Sequence, residues 1–402
     1  MDFVEMSIRV ETGKARIKYN SKEKFMRKHY FDNGKAIASF LGIVYHSALV
    51  FTGTAWLINV DGQQTLPILQ IYTDYINLFR MPLFLFIAGY FAAHSVRKYN
   101  LRDFTFNKLT RLGIPLISTL LTFNILEKLY TFKFIHGNYS LNEILGTLVP
   151  WGSNFQISHL WFLYYVIIFS FLIYFSSFLK IYHINSFIKR ILKKYSDVIL
   201  IACNIGILGI FGVLFVITGF FHELFSFLTI GANLPYFLIG VLTCQNWEYF
   251  KKQFFDLSRT RVVIISILLI ISYILAGLIS DIIPNSNTIL NTFPRYFSLI
   301  LVLGLLYKYM NKSNRFLKYI SESSYSVYLI HQPVIVVVSY YYIKYINDSN
   351  PVLGFFTVFL LSTIVIYALD YFLIRNTRVG TFLFTGKRNI EQKSKVKDKI
   401  SA

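Results

Sequence analysis

Cysteine is nearly missing from this chain: 402 residues hold two, Cys203 and Cys244, each inside an apolar run. That excludes a disulfide framework and any metal site with cysteine-ligand spacing. Acidic residues are few, 20 Asp and Glu against 40 Lys and Arg. Charged residues of either sign reach only 15%, too few to cover a water-facing surface on a chain this long. No soluble domain, low-complexity linker or internal repeat interrupts the pattern. Residues 1–34 are long, polar and basic, with no short apolar core before a small-residue cleavage site, so no cleaved leader is expected. Neither a G-x-S-x-G elbow nor a Ser-His-Asp order is present to favour a serine acyl-enzyme.

Apolar sequence fills the space. Hydrophobic residues make up 55%, aromatics 18% with 40 Phe and 29 Tyr, and the mean hydropathy is +0.51. This is the composition of a membrane protein. A spanning helix needs about 20 apolar residues. Ten such runs are present, near 36–57, 74–95, 113–131, 159–179, 198–219, 226–245, 262–283, 291–310, 319–343 and 353–374. The second and sixth contain Pro82 and Pro235, tolerated where a neighbour or water satisfies the freed carbonyl.

A net charge of +20 would suggest nucleic acid in a soluble protein. Here its distribution is what counts. The connections after even-numbered runs, with the two terminal stretches, hold 35 of the 40 Lys and Arg; the others are Arg80, Lys128, Lys133, Arg295 and Lys344. Positive-inside bias puts the 35 in the cytoplasm. The expected fold is therefore an all-α integral membrane bundle of ten transmembrane helices with both termini cytoplasmic. It divides into a basic tail (1–34), a membrane domain (35–375) and a basic tail (376–402), of which 387–402 is solvated or touches lipid.

Ionisable groups at membrane depth are costly and mark functional sites. His46 lies eleven residues beyond Lys35 in the first run, about 16 Å up a helix; His331 lies thirteen beyond Lys318 in the ninth, about 20 Å up. The two share a depth, and imidazole is the usual base near neutral pH. The plainer role is a neutral histidine bonded to a helix carbonyl. Toward the outer face stand Arg80 before Met81-Pro82, His159 and Trp161 at the start of the fourth run, and Arg295 after Pro294. These residues suit a polar vestibule, with snorkelling arginines and a belt tryptophan as the plainer roles. At the inner face Lys108 and Arg111 are three apart, which on an α-helix puts them on one side, ready for phosphate. Ordinary positive-inside charge explains them equally well.

Taken together these pieces resemble the acyltransferase 3 family of bacterial membrane acyltransferases, and within it the branch that acts in glucan biosynthesis. Lys35 and His46 keep the spacing of the family's arginine and histidine, with lysine in place of arginine. Phe79-Arg80-Met81-Pro82-Leu83-Phe84 matches its second helix. Lys108-Leu109-Thr110-Arg111 stands where the family carries R-x-x-R, linked to acyl-CoA. His159-Leu160-Trp161-Phe162-Leu163 and Tyr328-Leu329-Ile330-His331-Gln332-Pro333 complete the order. The two lysines keep the charge but lose the planar fork that grips phosphate.

The resemblance implies an O-acyltransferase of the bacterial cytoplasmic (inner) membrane. Acyl-CoA would be the donor, with Lys35, Lys108 and Arg111 on its phosphates. His46 would act as base with His331 in support. Arg80, His159, Trp161 and Arg295 would bind an extracytoplasmic carbohydrate, with succinyl or acetyl as the group moved. Membrane lipid is a partner, and further copies of the chain or glucan-synthesis proteins fit as others. No metal is expected. A transporter or exporter of polysaccharide or small solute is the rival class, since a polar midplane with prolines suits it as well.

Overall fold

The computed structural model describes residues 29–60, 62, 65–137, 141–147, 157–178, 186–218, 227–282, 287–346 and 350–387. Among them every regular element is helical. Eight helical stretches are long and apolar enough to cross a membrane. The basic residues of 1–28 and 388–402 lie outside the described residues.

α1 (His29–Leu49) begins seven residues before the first expected span and ends eight before its expected end. The reason is a turn at Thr52-Gly53-Thr54, where Gly53 takes φ +77°. The chain then doubles back, Val60 N donating to Val50 O at 3.1 Å and Leu66 N to Phe51 O at 2.7 Å. Asn59 ties this connection down: its amide donates to Leu49 O and Thr54 O, and its carbonyl accepts from Trp56 N. Trp56, expected inside a helix, is folded back over the end of α1.

α2 (Pro67–Lys98) starts on a proline that needs no donor there. At about 48 Å it exceeds the roughly 30 Å of hydrocarbon it has to cross. α3 (Leu101–Lys108) is capped by Asn100, which accepts from Asp103 N. It runs through a π turn (Leu109–Gly113) into α4 (Ile114–Leu120) and, after a break, α5 (Phe123–His136). The third expected span is thus a broken helix. Thr119 and Thr122 hydroxyls donate to Pro115 O and Ser118 O across the broken part.

Short α6 (Leu141–Gly146) precedes α7 (Trp161–Phe178), α8 (Ser186–Thr218) and α9 (Phe227–Gln245). A single turn, α10 (Trp247–Phe250), leads to α11 (Arg259–Ile282), whose outward face is almost wholly exposed apolar side chains. α12 (Asn287–Leu290) and α13 (Thr292–Tyr309) follow, then α14 (Arg315–Tyr345), α15 (Pro351–Leu369) and α16 (Arg378–Thr385). α16 falls within the stretch read as a tail but packs onto the broken helix. Phe384 meets Phe123 at 5.4 Å between rings, and Gly386 sits so close that an added Cβ would lie 2.1 Å from Thr110 O.

Two crossings set the frame. α2 and α9 touch backbone to backbone: a Cβ on Gly89 would lie 2.0 Å from Phe237 O, and one on Gly240 2.0 Å from Phe86 O. Small residues allow such approach where lipid offers no hydrophobic driving force. α1 and α14 are joined by Ser39 Oγ donating to Ser324 O at 2.8 Å. Asn33 at the start of α1 donates to Met310 O and Lys312 O, which places that end beside the end of α13. Tyr325, near the start of α14, donates to Arg111 O. The helix ends bearing Lys35, Arg111 and Lys308 therefore gather at one end of the bundle.

Candidate functional site

The polar residues that a bilayer would penalise converge on one cavity of about 600 Å³. α1 supplies His46, α2 Arg80, the turn before α7 His159, and α14 His331. All four are at least 92% buried. The His331 ring lies 5.1 Å from that of His46 and 5.2 Å from that of His159, so it stands between the other two. Trp56 covers His46 at 5.5 Å. Arg80 stacks its guanidinium over Tyr45 at 4.2 Å. Gly42 makes the gathering possible, since a Cβ there would lie 3.3 Å from both Arg80 Nη1 and His331 Nε2.

Hydrogen bonds fix two of the three rings. Nδ1 of His331 is 2.7 Å from Tyr328 O, and Nε2 of His159 is 3.0 Å from Leu329 O. A carbonyl only accepts, so these nitrogens carry hydrogen. The neutral His331 then keeps its lone pair on Nε2, the nitrogen beside Gly42 and Arg80. Tyr328 also donates to His159 O at 2.6 Å, locking α14 to the turn. His46 Nδ1 is buried without a hydrogen-bond partner.

Behind His159 lies a carboxylate that the sequence reading passed over. Glu127 is fully buried on α5. Ser158 Oγ donates to its Oε1 at 2.6 Å, and Gln332 Nε2 reaches its Oε2 at 3.3 Å while donating to Ser158 Oγ at 2.8 Å. Ser158 sits in the left-handed region at φ 55°, a costly conformation for a non-glycine residue that these bonds stabilise. Nδ1 of His159 is 3.7 Å from Glu127 Oε2. A bare ring nitrogen and a bare carboxylate would repel at that distance; one proton between them removes the conflict. Lys128, also buried, lines the cavity beside them. The usable signal was Glu127-Lys128 within an apolar run whose helix continues to His136.

The remaining candidates fall elsewhere. Trp161 lines the histidine cavity, but Arg295 does not; it lines a second cavity between α2, α11 and α13. Lys35 pairs with Asp32 at 2.9 Å, one turn away on α1. Lys108 lies over Phe104 of its own helix, and Arg111 is exposed. The π turn between Lys108 and Arg111 alters the expected geometry. Its i→i+5 bonds carry fewer degrees per residue, so residues three apart diverge further around the axis than on an α-helix. Among the described residues no hydrogen bond or ion pair joins Lys35 to either, and none of the His, Cys, Asp and Glu residues cluster in threes as a cation site would need.

Comparison with known proteins adds a name to this arrangement. Residues 28–371 match the family described as Acyltransferase domain. Glucans biosynthesis protein C of Escherichia coli K12 is 23% identical over 385 residues, covering 92% of this chain and 97% of that protein. The protein of the same name from Escherichia coli O81 (strain ED1a) is 24% identical over the same length. No solved structure matches the chain.

Proposed function

The chain belongs to the acyltransferase-domain family and is a membrane acyltransferase for groups other than amino-acyl ones, and from that premise we propose that it moves an acyl group from cytoplasmic acyl-CoA to a hydroxyl of an extracytoplasmic carbohydrate. The bundle then has ten transmembrane helices, α1 and α13 joining the eight long apolar stretches, with both termini in the cytoplasm of a bacterial inner membrane. The observation that carries the reading is the meeting of three imidazoles and Arg80 in one cavity at membrane depth.

A sugar hydroxyl is a poor nucleophile near neutral pH, so a base has to take its proton as oxygen attacks the thioester carbon. His46 takes that role. His331, one ring away with Nε2 unprotonated, supports it as the next acceptor. The tetrahedral intermediate collapses with loss of the C–S bond, and the CoA thiolate leaves with the proton. Arg80, already held against Tyr45, offers positive charge to the oxygen that becomes anionic. Lys108, Arg111 and Lys35 each offer a separate positive charge to the donor's phosphates at the basic end. The name of the relatives, Glucans biosynthesis protein C, supports a glucan acceptor; the group moved on this reading is succinyl or acetyl.

Mass spectrometry of envelope carbohydrates from cells with the protein, without it, and with His46→Gln tests this. An ester present only with the intact protein is expected. An unchanged ester pattern overturns the reading, and a carbohydrate that keeps its ester but stays inside the cell assigns the protein to export instead.

A further inference from the structure

The second cavity measures about 550 Å³ and lies between α2, α11 and α13. It adjoins the histidine cavity: Asn77 lines both. Asp74, Asn77 and Arg80 are three apart along α2, so they occupy successive turns of one stripe. That stripe covers about 9 Å of helix, with Asp74 at the second cavity and Arg80 among the histidines.

The position points to water. Asp74 is near the start of α2, Asp281 near the end of α11, and Arg295 near the start of α13. These are the ends opposite to those carrying Lys98, Arg259 and Lys308. The length of α2 beyond what hydrocarbon requires leaves its first turns at the interface. Asn77 and Asp281 are exposed.

The chemistry of the lining selects an occupant. Asp74, Asp281 and Arg295 come from three helices, yet among the described residues no ion pair joins them. Asp74 accepts one bond from Gln70 at 2.8 Å, and Arg295 Nε is buried with no partner. Two carboxylates disfavour an anion and the guanidinium disfavours a cation. A hydroxyl both donates and accepts, and so satisfies carboxylate, amide and guanidinium alike. Tyr273 adds an apolar face to the same wall.

We propose that the two cavities form one acceptor groove joined at Asn77, and that the outer half, built from Asp74, Asp281 and Arg295, binds a second unit of a neutral polyhydroxyl chain whose first unit reacts at the histidines. This rests on the acyl-transfer reading above. It gives the glucan acceptor of that reading a place for its second unit.

The test uses the full chain in lipid nanodiscs with acyl-CoA, and compares a glucan oligosaccharide series with glucose. Wild type should prefer the oligosaccharides in kcat/KM. Asp281→Ala and Arg295→Gln should each lower that preference about tenfold, through the oligosaccharide KM, by losing bonds to charged groups. The acyl-CoA KM should move by less than twofold. A preference unchanged in both variants overturns the groove while leaving acyl transfer standing. If wild type acylates no sugar, the functional reading fails, and calorimetric titration of a glucan oligosaccharide into wild type and Asn77→Leu decides the groove. Weaker binding to the variant upholds it; equal binding, or none to wild type, overturns it.

Discussion

At the centre of the bundle His46, His159 and His331 arrive from separate parts of the chain, and carbonyls and a tyrosine lock the last two beside a buried glutamate. At the basic end Lys35 pairs with Asp32 of its own helix and lies over the Phe91 ring of α2, Lys108 lies over Phe104 of its own helix, and Arg111 is exposed. The same residue classes are governed by different physics in the two places. Burial makes each central polar group costly unless satisfied, so packing specifies its neighbours. At the basic rim few contacts hold the charges, so position along the chain specifies them more than packing does. Central substitutions should therefore act on chemistry or on the fold, and rim substitutions on donor affinity alone.

The strongest attempt to break this contrast is His46→Gln. It keeps a hydrogen-bonding side chain but cannot take a proton, so transfer should fall about 10²–10⁴-fold with acyl-CoA binding and melting temperature close to wild type. Substantial residual turnover in a single-turnover assay would pass the base role to His331 or His159. Glu127 comes next. Glu127→Leu removes the acceptor of Ser158 and Gln332, at about 1–3 kcal/mol for each orphaned group, and should lower the thermal midpoint in detergent. Glu127→Gln retains an acceptor oxygen and should recover much of that stability. Equal midpoints for all three proteins would show that the network holds nothing together.

At the rim, Lys108→Ala and Arg111→Ala should insert normally and weaken acyl-CoA binding by up to about fivefold each, the range of an exposed ion pair. Unchanged binding by both removes the phosphate role. The smallest effect is expected from Lys35→Met, which breaks the Asp32 pair. One helix-surface pair of i,i+3 spacing is worth about 0.2–0.5 kcal/mol, so the melting temperature should hardly move. A loss as large as that of Glu127→Leu would place Lys35 with the centre.

The same contrast explains what could be read from the residues alone. Depth was legible, because it follows from counting along a helix: His46 and His331 share a level and meet. Direction around the axis was not. Arg295 shares a membrane level with the outer polar group but faces a different cavity from Trp161. The Lys108/Arg111 spacing presumed an α turn where a π turn stands. Apolar residues continue past Leu49 to Trp56 and read as helix, whereas the turn at Thr52-Gly53-Thr54 ends α1 at Leu49. Glu127 was missed because an isolated acid next to a lysine reads as the polar end of a span. Packing of α5 against α14 and the turn before α7 buries it.

Gly42 carries a consequence for how little the centre tolerates. With no side chain, it lets the Arg80 guanidinium and the His331 ring close in on α1, where a Cβ would lie 3.3 Å from each. Position 42 is thus a hinge pin on which two elements of the centre rest. Alanine there should push both groups aside by a few tenths of an ångström, read as a fall in turnover with acyl-CoA affinity unchanged.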